Sequence, residues 1–228
     1  MLAVTLTTAG FLVGAGGGAP AIATARTSES APVPSPEHTQ TDSPTQVERY
    51  WTPERMAAAS RVQVSDAASG GPGEHNDATG TVVSTTGVAF LTTDEGDQWC
   101  AASALASANH DVVVTTADCV RASGPTGAFY QNWAFAPGFH EGQTPYGIWP
   151  ARGLQVTRNG PNRRTRPRSC YRGGNTTGGP WFRTFDRDTG RGHLFCVSNW
   201  IPADDPYSIR CAPLGQSAKQ IYESAQEI

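Results

Sequence analysis

Lysine is all but absent from this chain: Lys219 stands alone beside sixteen arginines, a bias of base composition in the gene more than of function. The net charge of −3 excludes a global attraction to nucleic acid. No apolar run reaches the roughly 20 residues of a membrane-spanning helix, so no membrane role beyond export is expected. No C-x-x-C pair and no His–Cys cluster occurs, which excludes the usual zinc patterns and leaves no metal or other cofactor expected. Gly14 to Gly18 lacks the Lys-Ser/Thr ending and the preceding strand that a phosphate loop requires. Cysteine is scarce and odd in number: Cys100, Cys119, Cys170, Cys196 and Cys211.

What is present begins with a short apolar run, Leu2 to Val13, followed by small residues ending in Ala23-Thr24-Ala25. This predicts a signal peptide over 1–25 and a secreted, extracellular protein in which cysteines form bridges. No lysine or arginine precedes the run, which points to a start upstream. Arg26 to Gln46 is rich in Ser, Thr, Pro and acidic residues and too poor in large apolar side chains to offset the entropy of ordering, so disorder is expected there. Thr52 suits an N-cap and Pro53 the first helical position, predicting a short helix near 52–60 docked by Trp51 and Met56. Asp66 to Gly80 has no period and reads as a second linker, making 26–80 a propeptide-like linker around that helix.

From Thr81 the pattern changes to short β-branched and aromatic runs punctuated by Gly, Pro, Asn and Asp, as an all-β domain over 81–228 requires. Strands are predicted at Val88 to Thr92, Trp99 to Ala104, Val112 to Thr116, Asn132 to Ala136, Ile148 to Val156, Trp181 to Phe185 and Leu194 to Asn199. At the end, Ile221, Tyr222, Ala225 and Ile228 fall on one face at helical spacing, predicting a terminal amphipathic helix from Gln216 that caps the core.

Two stretches hold the informative residues: Val112-Val-Val-Thr-Thr-Ala-Asp-Cys-Val120 and Gly173-Gly-Asn-Thr-Thr-Gly-Gly-Pro-Trp181. With Trp99-Cys-Ala-Ala-Ser-Ala104, Asn132-Trp-Ala-Phe-Ala-Pro-Gly138 and Pro145-Tyr-Gly-Ile-Trp149, in this order and spacing, they resemble secreted bacterial trypsin-like serine peptidases of the chymotrypsin fold. The resemblance covers roughly Tyr50 to Val156 and Cys170 to the end, and Tyr50-Trp-Thr-Pro-Glu-Arg-Met56 is similar to the helix preceding the protease domain. It implies a chymotrypsin-like double β-barrel, with the first barrel about 81–156, a truncated second barrel about 170–228, and a C-terminal helix. In such enzymes a serine attacks the peptide carbonyl, a histidine moves its proton, an aspartate orients the histidine, and backbone amides hold the oxyanion.

Carried over residue by residue, the resemblance places Thr177 where the nucleophilic serine belongs and Asp118 where the histidine belongs. The backbone N–H groups of Asn175 and Thr177 take the oxyanion-donor positions. A carboxylate of ordinary pKa about 3.9 is a weaker base than imidazole at about 6.5, and its shorter side chain does not bridge hydroxyl and leaving group. Thr177 is internal, so no N-terminal amine activates it, and its β-methyl restricts χ1. The third triad member is absent, because Thr157 to Cys170 contains no acidic residue where the family has a longer, Asp-bearing segment. The resemblance also implies a Cys100–Cys119 disulfide and a Cys170 whose partner is lost. Cys196 and Cys211 then pair with each other, with Cys170 bonded to either of them as the competing arrangement.

The first expectation is therefore a secreted pseudoprotease, catalytically impaired or inactive, that acts by binding a protein or peptide ligand. An active peptide-bond hydrolase using Thr177 with an unconventional base and a non-functional gene remnant are the rivals. An incomplete barrel predicts uncovered strand edges and apolar surface, hence a partner, dimerisation or poor solubility. Arg158, Arg163, Arg164, Arg166, Arg168 and Arg172 have no aromatic platform beside them and read as a solvated loop. His38, His75, His110, His140 and His193 occupy no motif position and read as surface or turn residues. Asn175-Thr-Thr177 is formally a glycosylation sequon, a short pattern of low specificity.

Overall fold

Val88-Ala89-Phe90-Leu91 offers no polar alternate to water, so a strand built on it needs cover on both faces. The computed structural model describes residues 37–62, 84–124, 127–157, 169–171, 177–186, 188–200 and 208–227, all in one unit. In chain order these form β1 (Glu37–Thr39), α1 (Pro44–Tyr50), α2 (Pro53–Ala58), β2 (Ser60–Arg61), β3 (Thr86–Thr93), β4 (Gly96–Ala104), β5 (Val113–Val114), a 3-10 turn at Ala117–Cys119 and β6 (Gln131–Pro137). There follow β7 (Trp149–Pro150), β8 (Gly153–Gln155), β9 (Ser169–Tyr171), β10 (Pro180–Asp186), β11 (Arg191–Trp200), β12 (Ser208–Pro213) and α3 (Gln216–Ala225). The expected signal peptide, the linker over Asp66 to Gly80 and the arginine cluster lie outside the described residues.

The first sheet has six strands, in the order β2-β4-β3-β6-β7 with β5 added to β4, and the second has four, in the order β10-β11-β12-β9. A small pair, β1 with β8, stands apart. Neither larger sheet closes on itself through the described pairings, so the expected double barrel is present as two open sheets. The first stops at β7, two residues long and ending in Pro150, which has no N–H to continue a ladder. Pro150 and the bend before Gly153 also split the single strand predicted over Ile148 to Val156 into β7 and β8. Four strands, β1, β2, β9 and β12, are absent from the prediction.

The alternation of β3 explains the packing. Ala89 and Leu91 face a core with Cys100, Ala102, Trp133, Phe135, Leu154 and Val156, while Phe90 faces Ala134, Ala136, Val47, Trp51 and Met56. The outer face is therefore covered by α1 and α2, and of the stretch expected to be disordered through Gln46 the described part, from Glu37, holds β1 and the start of α1. Ser43 caps α1 in a reciprocal capping box with Gln46, and Thr52 caps α2 with Pro53 in its first turn. Trp51 is 2% exposed, donates from Nε1 to Asn132 O at 2.6 Å, and packs on the Phe90 ring at 5.2 Å. Asp97 ties the same segment down from β4, accepting from Tyr50 Oη at 2.7 Å and from Arg55 Nη1 at 2.9 Å.

Two disulfides staple the sheets: Cys100–Cys119 joins β4 to the 3-10 turn, and Cys196–Cys211 joins β11 to β12. At the end of the chain, Ala218, Ile221, Tyr222 and Ala225 form the half-buried stripe of α3. The helix is held to the 106–109 loop, where Asn109 Nδ2 donates to Ala225 O and Ala108 N to Gln226 Oε1, both at 2.9 Å.

Candidate active site

The candidate residues converge on one stretch of β4, Cys100-Ala101. From one side Ala101 N donates to Thr177 O at 2.9 Å, and Thr115 Oγ1 donates to Ala101 O at 2.8 Å. From the other, Cys119 is bonded to Cys100 and carries Asp118 in the preceding position, with a Cα–Cα distance of 6.1 Å across the bridge. Cys119 N donates to Thr116 O at 3.0 Å, closing the 3-10 turn that presents Asp118 half-buried.

The turn after Thr177 is fixed by the second sheet as well. Gly178 N donates to Ser198 O, and Ser198 N donates to Gly179 O, both at 2.8 Å. Gly178 has φ 87°, and a Cβ built on it would lie 2.0 Å from Ala101 O and 2.3 Å from Thr115 Oγ1. Only glycine fits, for reasons of both backbone angle and space. The result is a turn sewn between β4 and β11, with the Thr177 side chain 2% exposed. A hydroxyl so buried does not meet a substrate carbonyl without movement of its surroundings.

Tyr130 marks the electrostatics near Asp118. Its phenol is raised above the ordinary tyrosine value, first by burial and then by the negative charges of Asp118, Glu95 and Asp94. Two other aspartates are engaged elsewhere: Asp111, before β5, pairs with Arg152, and Asp97, on β4, with Arg55. The described histidines are likewise placed away from a motif position. His38 stacks on Phe129 at 5.3 Å, His140 Nδ1 meets Gly138 O at 2.7 Å, His193 Nδ1 meets Thr184 Oγ1 at 2.9 Å, and His110 sits at φ 62° in a turn. Asn175, the other oxyanion-donor candidate, and His75 lie outside the described residues. Among the described residues no group of three His, Cys, Asp or Glu side chains is arranged to hold a metal ion.

Two residues that matter here are invisible locally in the sequence. Ser198 receives and donates the backbone bonds that set the turn, and its Oγ accepts from Trp181 Nε1 at 2.9 Å. Thr115 fills the space a Gly178 side chain would need. Both act through long-range pairing, for which spacing gives no signal. Two clefts open away from the turn, one of ≈ 380 Å³ over β11 and β12 and one of ≈ 120 Å³ beside Tyr130, and neither is lined by Asp118 or Thr177.

No protein-family model matches the chain, and no curated protein does. Solved structures do. A thermostable serine protease, AL20, from an extremophilic microorganism aligns with a TM-score of 0.51 and 19% identity, covering 64% of this chain and 98% of that one. The protease Anisep from Arthrobacter nicotinovorans aligns with a TM-score of 0.52 and 18% identity, covering 65% of this chain and 98% of that one. The chain therefore has the chymotrypsin-like fold of bacterial serine proteases.

Proposed function

We propose that this is a secreted serine-endopeptidase homologue that has lost its hydrolytic chemistry and acts by binding a protein or peptide. The supporting observation is that the turn Thr177-Gly178-Gly179 is held by main-chain bonds to both larger sheets while the Thr177 side chain is buried. Four main-chain and side-chain bonds from Ala101, Thr115 and Ser198 hold the turn and the β4 carbonyl against it. Thr177, to which the resemblance gives the nucleophile's place, is 2% exposed, and Asp118, to which it gives the histidine's place, is half-buried in the 3-10 turn.

An oxyanion site built from backbone amides does not depend on either side chain, so a carbonyl can still be bound without being cleaved. Residual catalysis from such a site alone is about 10³ to 10⁴-fold over water, far below a complete triad. Two disulfides are compatible with an oxidising compartment and thus with export.

Incubation of the purified, folded protein with casein tests the reading. It predicts no fragments above those released by buffer alone. Casein hydrolysis that is abolished by Thr177→Ala would overturn it in favour of an active hydrolase.

A further inference from the structure

The cleft of ≈ 380 Å³ lies over the second sheet, with Leu194, Phe195, Pro213 and Leu214 around the Cys196–Cys211 bridge and Arg183 at its side. Its volume falls within the range of about 300–1,000 Å³ typical of small-ligand sites. Arg183 is the one charged side chain of the lining, and polar and apolar atoms share the cleft's exposed surface about equally. Arg183 is exposed, forms no ion pair among the described residues, and lays its guanidinium over the Phe195 ring, 4.8 Å from the centroid.

Contact with the Phe195 ring restrains the guanidinium beside the cleft, with its N–H groups as donors for an anion. A guanidinium can pair with a carboxylate bidentately, and one already held against an aromatic ring loses less side-chain freedom in doing so. The floor is rigid: Cys196 and Cys211 are buried and bonded to one another, and Leu214 N donates to Phe195 O at 3.0 Å. A cleft that sets one cation beside aliphatic and aromatic side chains suits an apolar group carrying one negative charge.

We propose that this cleft binds the C-terminal end of a peptide whose last residue is a large apolar one, its terminal carboxylate held by Arg183 and its side chain by Leu194, Pro213 and Leu214. The proposal rests on the reading of this protein as a binding homologue and gives that reading a site distinct from the Thr177 turn.

The test titrates the full chain against a fluorescein-labelled pentapeptide, Gly-Gly-Ala-Leu-Phe, with a free C-terminus. Its C-terminal amide and decanoate serve as comparison probes, and each mixture is examined afterwards by mass spectrometry. The expected result is saturable binding of the free acid, weakened at least 10-fold in the amide and in Arg183→Ala and partly restored in Arg183→Lys. Decanoate is expected to compete poorly. Equal binding of acid and amide, full binding by Arg183→Ala, or absence of saturable binding overturns the site. Decanoate displacing the peptide stoichiometrically overturns the peptide in favour of a lipid. Cleavage of the peptide in the recovered mixture contradicts the underlying binding reading instead, so the two failures are distinct. Because the acid–amide comparison uses the unaltered protein, it decides the matter even where a variant folds poorly.

Discussion

Gly178 places the strictest demand on residue identity in the described chain. A methyl group there would lie 2.0 Å from Ala101 O, at a φ of 87° that L-residues rarely adopt. Strain of that backbone region costs about 1–3 kcal/mol by itself, and the clash with main chain adds to it. Gly178→Ala is therefore expected to destabilise by about 3 kcal/mol or more, read as a shifted denaturant midpoint, whereas Thr177→Ala at the adjacent position should cost less than half of that. Tyr130 supplies a second test at this scale. Its folded-state pKa is raised by burial first and by Asp118, Glu95 and Asp94 next, so the neutral phenol favours the folded chain. Its contribution is complete below the ordinary value of about 10 and is lost as the pH rises through the folded value. Phenolate absorbance should show this tyrosine titrating late, and Asp118→Asn should move it down without returning it fully to 10, since burial remains. No movement in Asp118→Asn would place the carboxylate away from Tyr130.

At the scale of elements, the first sheet depends on a segment that begins at the edge of the stretch read as disordered and runs through the helix predicted near 52–60. Val47, Trp51 and Met56 cover Phe90, Ala134 and Ala136 on the outer face. Trp51→Ala should cost about 3–5 kcal/mol and Ser43→Ala about 1 kcal/mol in thermal or denaturant unfolding. A near-neutral Trp51→Ala would contradict the role of α1 and α2 as a cover. The helix of Thr52 and Pro53 is legible because a cap and a first-turn proline are local signals. The helix of Pro44–Tyr50 is not, although Ser43 and Gln46 form a capping box, because Ser, Thr and Pro dominate its surroundings. The strands β3, β4, β6, β10 and β11 are legible from β-branched and aromatic runs. Strand β12, Ser208–Pro213, is not, because Ile209 and Ala212 are its only aliphatic residues. Its place is set by the Cys196–Cys211 bridge and its ladder with β11, and both are long-range facts.

For the whole molecule, the candidate turn ties two open sheets together, bonded to β4 through Ala101 and to β11 through Ser198. Both disulfides brace the strands that hold this turn, Cys100–Cys119 on the first sheet and Cys196–Cys211 on the second. The second closes a loop with a sequence separation of 15, for which loss of the bridge costs about 3 kcal/mol. Cys196→Ala with Cys211→Ala should lower the melting temperature by an amount comparable to Cys100→Ala with Cys119→Ala. A shift confined to one pair would mean that the sheets unfold separately. The fold is legible in the order and spacing of the motifs, because the strand and turn chemistry that carries them is local. The bonds from Ser198 and Thr115 that keep the turn in shape are not, because they come from residues distant in sequence.

The central claim is that the turn has kept its frame and lost its reaction. A fluorophosphonate probe, with mass-spectrometric mapping of the modified residue on the folded protein, tests it most directly. The account predicts no adduct on Thr177 under conditions that fully label an intact trypsin-like enzyme. A stoichiometric adduct on Thr177, abolished in Thr177→Ala and diminished in Asp118→Asn, would contradict it.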